Sequence, residues 1–263
     1  MLKIKPFFYF KFSLLKTLFT GKIIHFKDQV GSTNDWASLK MKTEKVLEGT
    51  IFRADVQVNG KGQRGRVWAS SAGKNILTSY VLYPTFLRSD QQFSLIKAIS
   101  LGVKDLLDRY LIDKAKIKWP NDIYVNDLKI AGVLIESSMK GSIVASSVVG
   151  IGLNVNENKF DSAINATSLI LELGKGFDLD RLLFELSFYI EKRYLSIRYN
   201  QKSVDEEYLQ ALYQLNKPVK YEIGGAINVM VNRGVDEIGQ LLLEDQYGRI
   251  NPYGLHQVKM ILT

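Results

Sequence analysis

Lys118 stands directly before Trp119-Pro120-Asn121-Asp122, and this setting makes it a candidate for chemistry. Proline fixes its own φ and restricts the residue before it, so a lysine at such a strand end is held by stiff neighbours. A positioned ammonium can neutralise both a carboxylate nucleophile and the phosphate that it attacks. Electrostatic preorganisation of this kind is commonly the largest catalytic contribution, one donor being worth about 3 kcal/mol in a comparable site. A strand entering a turn, with Asp122 as its cap, accounts for the same residues equally well.

A second cluster runs from Asn59 to Arg66, with three glycines and three basic residues in eight positions, and continues into Val67-Trp68. Glycine lets the backbone approach a ligand closely, and successive N–H groups around Gly60, Gly62 and Gly65 can cradle phosphate oxygens. Lys61, Arg64 and Arg66 supply charge, while Trp68 offers a flat face to a base. The spacing is neither that of a P-loop nor that of a dinucleotide fingerprint. A mobile basic surface loop has the same composition.

Three small polar residues, Ser32-Thr33-Asn34, form a third cluster. They can hydrogen-bond a neutral polar ring such as a cyclic urea, which needs both donors and acceptors, or they can simply cap a helix. Gln57, at a strand end, has the same two readings. Gly150 and Gly152 alternate along the strand-like run Val149 to Asn154, which marks close approach of a ligand or another backbone, or a bulge.

Chemistry at these places must run on carboxylates, lysines, arginines and backbone dipoles. The chain has no cysteine, which excludes disulfides, thiolate catalysis and cysteine-ligated metal centres. Its two histidines, His25 and His256, are far apart, so neither a histidine triad nor a multi-histidine metal site is expected. The net charge of +8 points to anionic partners, although a solvated lysine-rich surface carries the same balance. Basic residues are scattered rather than run together, so no nucleic-acid footprint stands out. No apolar run approaches the length of a membrane span, and a cytoplasmic protein is expected. The first 20 residues are basic and aromatic, but Lys11 and Lys16 interrupt the apolar stretch and no small-residue cleavage site follows. They read as an extension forming an irregular turn or short helix.

The elements that must hold these clusters follow from periodicity. Strands are predicted at 22–26, 50–57, 75–83, 117–119 and 142–154, with a hairpin of arms 123–125 and 129–136 around Asn126-Asp127. Helical spacing predicts helices over about 35–41, 91–110, 165–173, 179–198 and 204–215. After Lys217-Pro218 the texture changes to short β-type runs at 219–223, 227–231, 240–244 and 257–262, separated by Gly and Asn, which predict a small all-β barrel. The fold class is therefore α+β, a mixed sheet packed with helices over 21–216 and a small barrel over 217–263.

Taken together and in this order, the clusters resemble the biotin–protein ligase family. The matching pieces are Ser32-Thr33-Asn34, Gln57 with Gly60 to Arg66 and Trp68, and Lys118 to Asp122. Lys129-Ile130-Ala131-Gly132-Val133-Leu134-Ile135-Glu136 and Gly150-Ile151-Gly152-Leu153-Asn154 complete the set. The resemblance covers residue 22 to the C-terminus and implies a catalytic domain like that of class II aminoacyl-tRNA synthetases, plus an SH3-like barrel. It implies activation of biotin with ATP and Mg²⁺ as biotinyl-5′-AMP, then transfer to a lysine of the biotin carboxyl carrier domain of a carboxylase.

By the resemblance, biotin would be held by Ser32, Thr33, Asn34, Gln57, Gly60, Lys61, Gly62, Gln63, Lys118, Gly132 and Gly150. ATP would be held by Lys61, Gln63, Arg64, Arg66, Trp68, Lys118, Asn121, Lys129 and Asn154, and the catalytic charges would be Lys118, Arg64 and Arg66. No protein-bound metal is expected beyond the Mg²⁺ that accompanies ATP. The family loop is usually richer in arginine, so Lys61 and Gln63 imply weaker retention of the adenylate. Gly254 to Val258 lacks an acidic residue usual near that point. Some family members carry an N-terminal helix-turn-helix domain; only about 20 residues precede the first matching strand, so no sequence-specific DNA binding is expected. Sheet-edge homodimers are known in the family. A lipoate–protein ligase, and in another class a non-catalytic nucleic-acid-binding protein, are the competing readings.

Overall fold

The computed structural model describes residues 16–161 and 165–262, apart from the side chain of Arg64. At its centre runs β3 (Ile76–Leu82), whose seven residues ILTSYVL are all buried, as a β-rich run covered on both faces must be. Around it lie β1 (Ile24–Val30), β2 (Ile51–Gln57), β4 (Ala115–Lys118), β5 (Asp122–Val125), β6 (Leu128–Lys140) and β7 (Ile143–Leu153). They make one seven-stranded sheet in the order β1-β2-β3-β7-β6-β5-β4. Only β1 and β2 pair in parallel; the other pairs are antiparallel, so the sheet is mixed.

One face of this sheet is covered by α2 (Gln92–Leu111), α4 (Leu179–Tyr199) and α5 (Gln201–Ala211), which close the main core around Tyr80, Ile99, Leu106, Ile151 and Ile190. The other face carries α1 (Thr33–Thr43), which buries Trp36 and Ala37 against Phe52, Val81 and Val148. Because side chains alternate along a strand, β6 and β7 give Ala131, Val133, Val149, Ile151 and Leu153 to the main core. The intervening residues, Gly132, Leu134 and Glu136 on β6 and Gly152, Gly150 and Val148 on β7, oppose each other in register on the α1 face. That face carries the site.

The C-terminal segment forms a second, antiparallel sheet, SH3-like, of β8 (Pro218–Ile223), β9 (Ala226–Val235), β10 (Leu241–Glu244), β11 (Ile250–Tyr253) and β12 (Val258–Met260), in the order β11-β10-β9-β8-β12. Its small core holds Tyr221, Met230, Leu241, Leu243 and Val258, with Trp119 of the β4–β5 turn packed against it.

Several elements differ from the sequence-based expectation. The helix predicted over 165–173 shrinks to α3 (Leu169–Leu173). Ser168 caps it, and Thr167 N–H is drawn away to Lys129 O at 2.9 Å, so the preceding residues extend along β6. The helix predicted to 215 ends at Ala211, where Leu212 turns extended and Tyr213 N–H bonds Ile117 O at the edge of β4. β11 falls outside the predicted runs; it holds Pro252 at the sheet edge, where a missing donor is tolerated. Residues 16–20 of the predicted extension pack onto α4, where the N–H groups of Leu18, Phe19 and Thr20 converge on the buried Glu191 carboxylate at 2.6, 2.9 and 2.8 Å. Residues 1–15 lie outside the described residues.

Candidate active site

The first turn of α1 builds a polar corner. Ser32 caps the helix, its hydroxyl accepting weakly from Asp35 N–H at 3.5 Å, so the capping reading of the Ser-Thr-Asn cluster is correct for this residue. Thr33 and Asn34 are then turned toward the sheet and buried. Gln57 Oε1 accepts from Thr33 N–H at 2.7 Å and lies 3.0 Å from Thr33 Oγ1. Ser79 Oγ, on β3, reaches Thr33 Oγ1 at 2.7 Å and Asn34 Oδ1 at 2.6 Å. A Cβ on Gly150 would meet Asn34 Oδ1 at 2.4 Å, so this glycine makes room for a protein side chain rather than for a ligand directly.

The glycine-rich loop leaves β2 and folds over the corner. Its middle, Gln63 to Gly65, is a short 3₁₀ turn, and Gly62 N–H bonds Arg66 O at 2.7 Å. Lys61 pairs with Asp35 of α1 at 2.5 Å, which raises the lysine's pKa. The loop ends at Trp68, whose indole lies across the cross-strand pair Gly132 and Gly152. An added Cβ would meet the indole at 3.0 Å from Gly132 and at 2.4 Å from Gly152. Lys129 Nζ stands 5.3 Å from the centre of the ring and pairs with Asp122 at 2.7 Å. The indole Nε1 is buried without a hydrogen-bond partner among the described residues.

These pieces line one cavity of about 50 Å³, walled by Ser32, Thr33, Asn34, Gln57, Lys61, Gly62, Gln63, Trp68, Lys129, Gly132 and Gly150. The structure thus brings most of the predicted residues together, joins to them Gly152, read from sequence as a close-approach glycine, and adds five that were given no ligand role: Thr78, Asp122, Val133, Leu134 and Ile151. Gly152 and Asp122 were visible inside the quoted motifs; the aliphatic liners carry no local signal. A second, wider space of about 600 Å³ opens on the outer side of the loop, lined by Gly60, Gly65, Arg66 and Glu136 and by Leu255 and His256 of the second sheet.

Lys118, Asn121 and Asn154 do not line the first cavity. Asn121 Nδ2 donates to Val133 O, and Asn154 Nδ2 to Thr167 O at 3.0 Å, so both buried amides are engaged in tying strands and loops together. Lys118 Nζ lies 3.5 Å from Tyr124 Oη and 5.1 Å from that ring's centre, half-buried. Burial pushes its pKa down, Asp122 opposes the shift, and Lys129, Arg66 and Lys259 add to it. Of the lysines, Lys61 and Lys129 line the cavity, and Lys129 is the one beside Asp122. Of Arg64 only the backbone, within the 3₁₀ turn, is described.

The profile of the Biotin/lipoate A/B protein ligase family matches residues 26–154, the segment that holds every residue lining the first cavity. The bifunctional ligase/repressor BirA of Escherichia coli is 31% identical over 232 residues, covering 85% of this chain and 70% of that protein. The chain belongs to this family, among its biotin–protein ligases. A biotin–[acetyl-CoA-carboxylase] ligase of Paracoccus denitrificans is 30% identical over 217 residues, 80% of this ligase and 90% of that one. The structure of the biotin protein ligase of Aquifex aeolicus in complex with biotin and ATP superposes with a TM-score of 0.77 at 26% identity, covering 92% of this ligase and all of that chain. Both sheets of the ligase therefore have a counterpart in that fold.

Proposed function

We propose that the cavity takes biotin and that the ligase joins it to ATP as biotinyl-5′-AMP before passing it to a lysine of a biotin carboxyl carrier domain. One observation carries the reading: the polar Ser-Thr-Asn corner, the glycine-rich lid and the Lys129 ammonium share a single cavity. In this reading the ureido ring sits in the corner with Ser32, Thr33, Asn34 and Gln57, and the acid chain runs past Gly132 on the Trp68 side of the cavity. Its carboxylate ends at Lys129. The α-phosphate comes from the outer side of the lid, where Arg66 lines the wider space. Lys118, set behind Asp122 and among three other cations, strengthens the positive field that a triphosphate meets.

The carboxylate oxygen attacks the α-phosphorus, a C–O–P link forms, and pyrophosphate leaves. Lys129 offsets the repulsion between the two anions, which is the role that the sequence assigned to Lys118. Mg²⁺ would arrive with the triphosphate and neutralise the leaving group; among the described residues no three His, Asp or Glu side chains are grouped as a metal cage. In the second step the neutral amine of the carrier lysine attacks the biotinyl carbonyl, a C–N bond forms, and AMP leaves. Binding pockets for small ligands run from roughly 300 Å³ upward, against about 50 Å³ here. Trp68 and the lid must therefore shift to admit substrate, and their return keeps water from the mixed anhydride. We further place the reaction in the cytoplasm.

Pyrophosphate exchange tests this directly. Purified protein with ATP and Mg²⁺ should exchange when biotin is added and not when lipoate is added, and a carrier domain should then acquire a biotinylated lysine. Exchange that follows lipoate instead of biotin overturns the assignment.

A further inference from the structure

Glu136 lines the wider outer space but not the first cavity, yet its carboxylate determines what the polar corner can offer. Strand alternation carries it to the α1 face of β6, where it accepts from Asn34 Nδ2 at 2.7 Å. A carboxylate has acceptors only, so Asn34 must turn its NH₂ toward Glu136, with Leu134 O as a weaker second acceptor at 3.4 Å. The Asn34 carbonyl is then forced to face Ser79. A carbonyl can only accept, so Ser79 spends its single proton on Asn34 Oδ1 at 2.6 Å.

Ser79 also lies 2.7 Å from Thr33 Oγ1, which in turn lies 3.0 Å from Gln57 Oε1. With the Ser79 proton committed, the Thr33 hydroxyl must donate, either to Ser79 or to Gln57. In both arrangements its proton points into the protein and its lone pairs remain for the cavity. Gln57 is oriented separately: its Oε1 is held by Thr33 N–H at 2.7 Å, which leaves Nε2 as a donor. Asn34 is 2% exposed and Ser79 0%, so water cannot take over either link of the chain.

We propose that Glu136 is a positioning residue that sets the donor–acceptor polarity of the corner. Through Asn34 and Ser79 it makes Thr33 Oγ1 an acceptor for a ring N–H, beside Gln57 Nε2 as a donor for a ring carbonyl. That is the pattern of a cyclic urea, and the inference rests on the biotin reading above. Glu136 itself is exposed, so its substitution leaves the core intact.

Biotin-dependent exchange by the wild-type protein is measured first, then KM and kcat for Glu136→Met and Glu136→Gln, each also in a Ser79→Ala background. The thioether has no comparable acceptor, and Glu136→Met should raise KM for biotin about ten-fold, while any change in KM for ATP is shared with Glu136→Gln, which loses the same charge. The amide keeps an acceptor oxygen, so Glu136→Gln should remain within about three-fold of wild type. Without the Ser79 hydroxyl the chain is cut, and Met and Gln should then behave alike. If the wild type shows no biotin-dependent exchange, the biotin reading falls and this inference with it. If it does, and Met and Gln are equal in the Ser79 background or the Met effect persists in Ser79→Ala, the role of Glu136 alone is overturned.

Discussion

Two ammonium groups stand near the proposed reaction, and their surroundings divide the work between them. Lys129 lines the cavity and is neutralised by Asp122, whereas Lys118 is set back against Tyr124 with its pKa lowered from 10.5 by burial and by neighbouring cations. A lysine whose folded pKa lies below its unfolded one opposes folding while it is charged. That penalty is complete below the folded value and is relieved as pH rises from there toward 10.5. Lys118→Met should therefore melt at or above the wild-type temperature at neutral pH, with the gap closing under alkaline conditions, yet exchange more slowly. Lys129→Met should lose on the order of 100-fold in kcat for exchange. Melting curves across pH and exchange kinetics check the pair; a Lys118→Met protein that melts lower at neutral pH would contradict the electrostatic argument. The motif around Lys118 made that residue conspicuous in sequence. Lys129 was singled out only through the resemblance, as a residue holding ATP, because its place beside Asp122 depends on a hairpin that folds it back.

At the level of elements, the site is a product of β6 and β7 running antiparallel with period-two alternation. Their glycines were legible as close-approach positions, and the structure supplies what approaches: Asn34 over Gly150, and the Trp68 indole over Gly132 and Gly152. The partners could not be read from sequence, since they come from a helix more than 100 residues upstream of Gly150 and from a loop whose path its composition leaves open. Gly152→Ala isolates this seat. Its methyl would lie 2.4 Å from Trp68 Cε2 and 2.7 Å from Cζ2, distances that no real contact shows, so the indole must leave the strand surface. The expected result is a shift in tryptophan emission, a KM for biotin at least ten-fold higher, and faster release of biotinyl-adenylate to solvent, as a lid without its anchor would give. Unchanged emission together with unchanged adenylate retention would refute the seat. Elsewhere, alternation and helical spacing located the long elements to within a few residues, while α3 and β11 were misjudged where tertiary hydrogen bonds and an edge position outweighed local preference.

Across the whole molecule, the segment that carries Lys118 also joins the two sheets. Trp119 packs against both cores, and its Nε1 donates to Gly239 O, in the β9–β10 connection of the second sheet, at 2.9 Å. Beneath it Tyr208 of α5 holds Pro120 O at 2.8 Å, and Asn121 ties back to β6. The second sheet buries only a handful of apolar side chains of its own, and a β unit of this size is marginal without support. Its order must come largely from docking, with Trp119 as the side chain it shares with the catalytic sheet. Trp119→Phe removes one hydrogen bond and should cost about 1 kcal/mol; Trp119→Ala also opens a cavity and should cost about 3 kcal/mol. The loss should not be uniform: amide exchange should quicken across β8 to β12 while β3 and β7 keep their protection. Since Lys118 is the next residue, the same variant should lower exchange activity even though residue 119 lines neither cavity. Uniform loss of protection, or a fully active Trp119→Ala protein, would show that the second sheet and the catalytic lysines are held independently.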